Sequence, residues 1–323
     1  MSRAKIVSRY LHVWVAISIT LALIVGCSFP ERVKFLKLLI PIFLFIMLYP
    51  MMINLKIESV VKATMNLKII LFAIFINFLI SPLLARLWVH LLFQSNPHLA
   101  AGFILKIIVP CSGMIAAWTG YARGKVETAL IIVALGFILI IFLVPLWMWI
   151  LARTYVQVDI LMIFQKLILI VVIPLIAGVV TRKLLIKKIG LNRYKQIAPN
   201  FPAISACGML AMVFVIISTQ AKIITSNFHY VLLIMLGILT LYPLNSLLAL
   251  TFSRVFRLGY GDAIALIYGV TAKNHAITIG IAVTAFSEAL VALPAAVAPL
   301  VQIPMMLAIL KLSSKLKKLC EEI

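Results

Sequence analysis

Apolar residues do not alternate with polar ones along this chain with the period of a soluble helix or strand. They run on for about 20 residues at a time, long enough to cross roughly 30 Å of hydrocarbon, and polar residues gather in the short intervals between. Ten such runs are read, at 13–29, 36–53, 67–93, 99–118, 130–151, 160–180, 201–219, 230–252, 263–286 and 290–310. The first is long for the hydrophobic part of a signal peptide and no small-residue cleavage pattern follows it, so it is taken as a span. The pattern predicts an all-α polytopic membrane protein of ten transmembrane helices in a single transmembrane domain.

The composition agrees: 65% of the 323 residues are hydrophobic and 11% charged, more apolar surface than a soluble core could hide. A net charge of +21 would suggest nucleic acid in a soluble protein. Here the placement of the basic residues explains it. Of the 29 Lys and Arg, 20 fall at the chain ends and in the even-numbered connections, seven in the odd-numbered ones, and Lys106 and Lys273 lie inside spans. The positive-inside rule then sets both termini in the cytoplasm of an inner-membrane protein, with the basic face toward anionic lipid and no role for nucleic acid.

Features recur at an offset of 159 to 161 residues. Pro82 falls against Pro243, Ala129-Leu130 against Ala289-Leu290, and Pro145 against Pro304. Five spans per half is an odd number, so the second half must enter from the opposite side. The halves form inverted repeats over about 10–155 and 156–312, joined by a basic loop from Thr181 to Asn200.

The fourth and ninth spans are the irregular ones. Pro110 and Gly113 interrupt an apolar helix that also carries Lys106, with Cys111 and Ser112 between them; Lys273, Asn274 and His275 stand at the matching depth of span nine. Proline cannot donate to the helical ladder, so both spans are expected to break and to aim helix ends and freed backbone groups at one spot. At an offset of 160 Cys111 is paired with Thr271 and Met114 with Asn274. Asn77 and Asn245, in spans three and eight, would support the crossing by hydrogen bonds. Lys106 is read either as snorkelling to a water-filled face or as a further polar group that supports the crossing. The four cysteines are widely spaced and form no metal or disulfide pattern; no metal and no cofactor is expected. No carboxylate lies inside a span. Gly259-Tyr260-Gly261-Asp262 matches the GxGD of intramembrane aspartyl proteases but lacks the second membrane aspartate, and no Walker loop or HExxH is present, so an enzyme is not expected. A channel or membrane sensor is disfavoured because polarity is confined to one crossing.

On Pro110-Cys111-Ser112-Gly113-Met114, Trp118 and Gly124, and on the stretch from Gly261-Asp262 to Pro304, the chain resembles the bile acid/sodium symporter superfamily. The cysteine after the break is similar to that of its arsenite-efflux branch. The resemblance implies a panel of spans 1, 2, 6 and 7 beside a core of spans 3–5 and 8–10, with spans 4 and 9 crossing. It implies a secondary transporter of a small inorganic or organic anionic or oxyacid substrate, arsenite first and small organic anions as the alternative, with Cys111, Ser112, Gly113, Lys273, Asn274 and His275 at the substrate site. Arsenite carriers have a glutamate shortly after the asparagine of span nine; here Asn274 is followed by His275-Ala276-Ile277-Thr278. Lys273 would repel sodium, which leaves proton antiport, with His275 or Lys273 titrating.

Overall fold

The computed structural model describes residues 11–53, 67–198 and 200–321. Arg3, Lys5, Arg9, Lys56 and Lys62, which weigh in the basic count, lie outside the described residues, as do the side chains of Lys318 and Cys320.

Every element among the described residues is helical. In hydrocarbon each backbone N–H and C=O must find a partner within the protein, and the helix supplies one for every interior residue. Eight helices are long and apolar enough to cross a membrane by length and composition, and two shorter apolar helices cover Val13–Ser28 and Pro97–Ile108. The elements are α1 (Leu11–Ser28), α2 (Pro30–Ile53, with a 3-10 stretch at Lys34–Leu39), α3 (Leu67–Leu92), α4 (Pro97–Ile108), α5 (Met114–Tyr121), α6 (Val126–Ala152), α7 (Ile160–Ile197), α8 (Asn200–Thr219), α9 (Ala221–Ser226), α10 (His229–Val255), α11 (Tyr260–Thr271), α12 (His275–Ala285) and α13 (Pro299–Glu321).

One group of helices is α1, α2, α7 and α8, with α2 held between α7 and α8. Glycine sets the distances. A Cβ on Gly208 would lie 2.6 Å from the Met47 nitrogen, and one on Gly178 would lie 2.7 Å from the Met52 carbonyl carbon. The α2 backbone therefore packs against bare backbone on both sides, the close approach that small residues permit between membrane helices. Ser205 adds a hydrogen bond to the Met47 carbonyl.

In the second group α3, α5, α6, α10 and α13 pack around α11, while α12 packs on α4, on residues 289–297, and on α2 and α7 of the first group. The apolar window of Tyr260–Ala285 has a mean hydropathy of only 1.2 and is wholly buried, whereas that of Ile160–Ile197 has 2.7 and is 22% buried. The contrast is physical. A helix facing lipid must be apolar, while one enclosed by protein can carry polar groups that its neighbours satisfy.

Connections meet in two sets. Lys125 N–H donates to the Gly261 carbonyl (2.9 Å), Tyr260 Oη to the Ala122 carbonyl (2.6 Å) and Thr128 Oγ1 to Asp262 Oδ1 (2.6 Å), so the fourth and eighth connections lie at one end of the molecule. Those contacts also account for the GxGD sequence, whose aspartate is occupied in joining two helix starts. The first and seventh connections meet where Cys27 Sγ lies 3.8 Å from Thr225 Oγ1.

One expectation is corrected. Thr181 to Asn200 is not a loop, because α7 runs on to Ile197 and is interrupted only at Gly190 (φ 78°, ψ 158°). Lys and Arg are good helix formers, so loss of hydrophobicity there marks where a span ends and not where a helix does.

Candidate functional site

The two broken helices have matching forms. The first halves, α4 and α11, begin at residues 97 and 260 and run twelve residues each, and both end on an extended residue, Val109 (ψ 118°) and Ala272 (ψ 131°). The offset between them is 163, larger than the 161 that separates Pro82 from Pro243, because α10 continues twelve residues past its proline to Val255 and α3 only ten past its own to Leu92, while the two connections that follow are equal in length. Cys111 thus corresponds to Asn274, not Thr271.

After each break the chain restarts a helix. Asn274 caps α12, its Oδ1 accepting from the Ile277 N–H at 3.1 Å, the usual way an N-cap residue satisfies an orphan donor. Ser112 offers its carbonyl to the Ile115 N–H (3.1 Å) as α5 begins after its N-cap, Gly113. The breaks touch directly: the Asn274 N–H donates to the Pro110 carbonyl at 3.0 Å. Each interruption supplies the partner that the other lacks. Cys111 is 1% exposed beside this contact, and Trp118 of α5 stacks on Tyr268 of α11 at 6.3 Å.

Lys273 is enclosed and held in part by residues the sequence reading passed over. Its Nζ donates to Asn77 Oδ1 at 2.7 Å and lies 3.4 Å from Ser81 Oγ. Its backbone is clasped by Gln302, whose Oε1 accepts the Lys273 N–H (2.9 Å) and whose Nε2 donates to the Lys273 carbonyl (3.2 Å). Tyr242 donates to the same Oε1 at 2.8 Å. Asn77 stands on a π-helical turn, Ile76–Ile80, and its Nδ2 reaches the Gly269 carbonyl at 3.0 Å. Such a turn widens the helix locally and re-aims a side chain. Asn245 Nδ2 donates to Ser81 Oγ (3.1 Å) and to the Val270 carbonyl (3.3 Å). Ser81, Gln302 and Tyr242 left a signal, since each is a polar group within an apolar run.

Lys106 corrects the sequence reading. Its side chain reaches no aqueous face; the residue is 0% exposed, its Nζ has no hydrogen-bond partner, and the Tyr242 ring lies 6.0 Å away. Both ring nitrogens of His275, Asn274 Nδ2 and Asn245 Oδ1 are likewise buried without a partner. None of the acidic side chains among the described residues reaches the crossing: Asp262 and Glu31, for example, are engaged by Lys125 and Lys34 at the ends of the molecule. The site therefore gathers a thiol, two amines, an imidazole and amides, with several of them unpartnered.

Residues 41–227 match the model of the sodium bile acid symporter family. The chain is 28% identical to an arsenical-resistance protein, Acr3, of Alkaliphilus metalliredigens, over 95% of this chain and 92% of that one. It is 20% identical to an arsenical-resistance protein Acr3 of Corynebacterium glutamicum, over 95% and 89%. A probable sodium/metabolite cotransporter of Arabidopsis thaliana chloroplasts is 26% identical over 66% of this chain and 51% of its own length.

Proposed function

Because the chain belongs to the sodium bile acid symporter family, and is thereby a multi-pass membrane transporter and not an enzyme, we propose that it exports arsenite or a related trivalent metalloid oxyacid by proton antiport. The observation that carries this reading is Cys111, a buried thiol in the break of the fourth span, beside the hydrogen bond that joins the two breaks. Sulfur is a soft ligand suited to trivalent arsenic. A single sulfur holds such an ion transiently, as a carrier requires. Similarity to two arsenical-resistance proteins along nearly the whole chain supports the same substrate. The test is arsenite accumulation in cells lacking their own exporter, with and without this protein. Accumulation unchanged by the protein would remove arsenite as the substrate.

The architecture we assign is ten spans in two inverted repeats, about 10–155 and 156–312. The α1, α2, α7 and α8 group would act as a panel against which the broken helices move. At their boundary α12 lies close to both, with Gly280 beside Leu44 and Ile170. On the charge of its connections we assign both termini to the cytoplasm. A cysteine placed at the exposed Ser226 is expected to react with an impermeant reagent in intact cells, and one at the exposed Lys187 only after lysis. The reverse pattern would invert the topology.

Sodium has no part in this scheme. The Lys273 ammonium occupies the amide and hydroxyl oxygens of Asn77 and Ser81, the kind of ligand a hard cation takes, and would repel a second positive charge at such a distance. Arsenite efflux from vesicles is expected to be unchanged when Na+ is replaced by K+ and to fall when the pH gradient is collapsed. A requirement for Na+ would defeat the proton scheme.

A second reading, export of a small organic anion, is favoured by one observation: the crossing holds two lysines, and no carboxylate among the described residues approaches it.

A further inference from the structure

The buried polar groups at the crossing divide into those that are used up and those that are not. Lys273 belongs to the first kind, because Asn77, Ser81 and Gln302 take its ammonium and its backbone. Asn245 belongs with it, being tied to Ser81 and Val270, and leaves only an acceptor oxygen unmet. Lys106, Asn274 and His275 are of the second kind. The first is 0% exposed, the second 1% and the third 9%, and Lys106 Nζ, Asn274 Nδ2 and the His275 ring nitrogens have no partner.

Lys106 stands on the last turn of α4, four residues before Pro110, and Asn274 and His275 stand at the start of α12, so the three lie on either side of the hydrogen bond from the Asn274 N–H to the Pro110 carbonyl. α4 and α12 pack against one another, and α12 presents its N-terminus with the positive end of its dipole. An ammonium, an amide NH2 and an imidazole offer mainly donors. Buried donors without acceptors are costly and are rarely left so in a protein interior. The complement of this group is a small body rich in acceptor oxygens and carrying negative charge.

We propose that Lys106, Asn274 and His275 form an oxyanion site between the two broken helices, and that Lys106, not Lys273, supplies its charge. The ligand class is a small monovalent or divalent oxyanion: a carboxylate, or a deprotonated inorganic oxyacid. Lys273 is a positioning residue that holds the ninth-span break to the third span. The proposal rests on the reading of the crossing as the transport site and narrows the chemical form of what binds there.

Thermal unfolding of the purified full chain in detergent tests it, with acetate, its uncharged isostere acetamide, and inorganic phosphate as probes. Acetate or phosphate should raise the unfolding temperature saturably while acetamide should not. Lys106→Gln should weaken that anion affinity by about tenfold or more, the loss expected when a hydrogen bond to a charged group is removed. Lys273→Gln should unfold earlier and weaken the anion affinity less than Lys106→Gln does. If Lys106→Gln does not yield folded protein, His275→Leu, which keeps the lysine, should also weaken the anion. Equal responses to acetate and acetamide, no response to either anion, or parental affinity in Lys106→Gln or His275→Leu would each overturn the site. Arsenite efflux from vesicles of the same preparations separates this from the exporter reading. Vesicles that do not move arsenite while anion binding depends on Lys106 would leave the site standing without that substrate. Arsenite efflux that is unchanged in Lys106→Gln would leave the exporter standing without this site.

Discussion

Cells whose only arsenite exporter is Cys111→Ala are expected to accumulate arsenite as cells without an exporter do, with the protein present in the membrane at parental levels. Cys111→Ser should behave alike, because a hydroxyl keeps the size and hydrogen bonding of the thiol without its softness. The structural cost is small. Removing one buried sulfur from a packed site destabilises by about 1 kcal/mol, too little to empty the membrane of a folded protein. Cys27 and Cys207 are exposed on α1 and α8, away from the break, so their alanine variants should retain efflux. Metal content per cell after a fixed exposure to arsenite reads all three. Parental resistance in Cys111→Ala would remove arsenite from the leading position and promote the organic anion.

Lys106→Met and Lys273→Met are expected to abolish transport alike while moving stability in opposite directions. Lys273 makes a 2.7 Å hydrogen bond to Asn77, and a methionine would leave that buried oxygen without its donor. A lost hydrogen bond to a charged group destabilises by about 1.5–3 kcal/mol. Lys106 makes no hydrogen bond, so its replacement removes an uncompensated buried amine and should stabilise the fold by about 1–3 kcal/mol. Function would here have been kept at the expense of stability, as happens where a site must hold a group ready for a ligand. Unfolding temperatures of the purified variants in detergent, beside their efflux rates in vesicles, check both halves. A Lys106→Met protein that is less stable than the parent would mean that the ammonium has a structural partner, and efflux at the parental rate in Lys273→Met would make that charge dispensable.

The all-helical membrane architecture, the breaks at Pro110 and Lys273-Asn274-His275, and the place of Cys111 in the first of them were all legible in the chain. The reason is that lipid imposes a local rule. A span needs about 20 apolar residues whatever its neighbours are, and a proline withdraws its hydrogen bond wherever it stands. The extension of α7 to Ile197 was not legible, because a helix leaving the membrane changes its composition without ending. Nor was the use of each polar group. Asn77 and Lys273 are 196 residues apart and meet through a π-helical turn that no periodicity announces. Lys106 looked able to reach water from its distance to Pro110, and only the enclosure of α4 by other helices denies it that route. Which amine is spent on the fold and which is left for a ligand depends on the side chains that arrive from other spans, and tertiary packing alone brings those together.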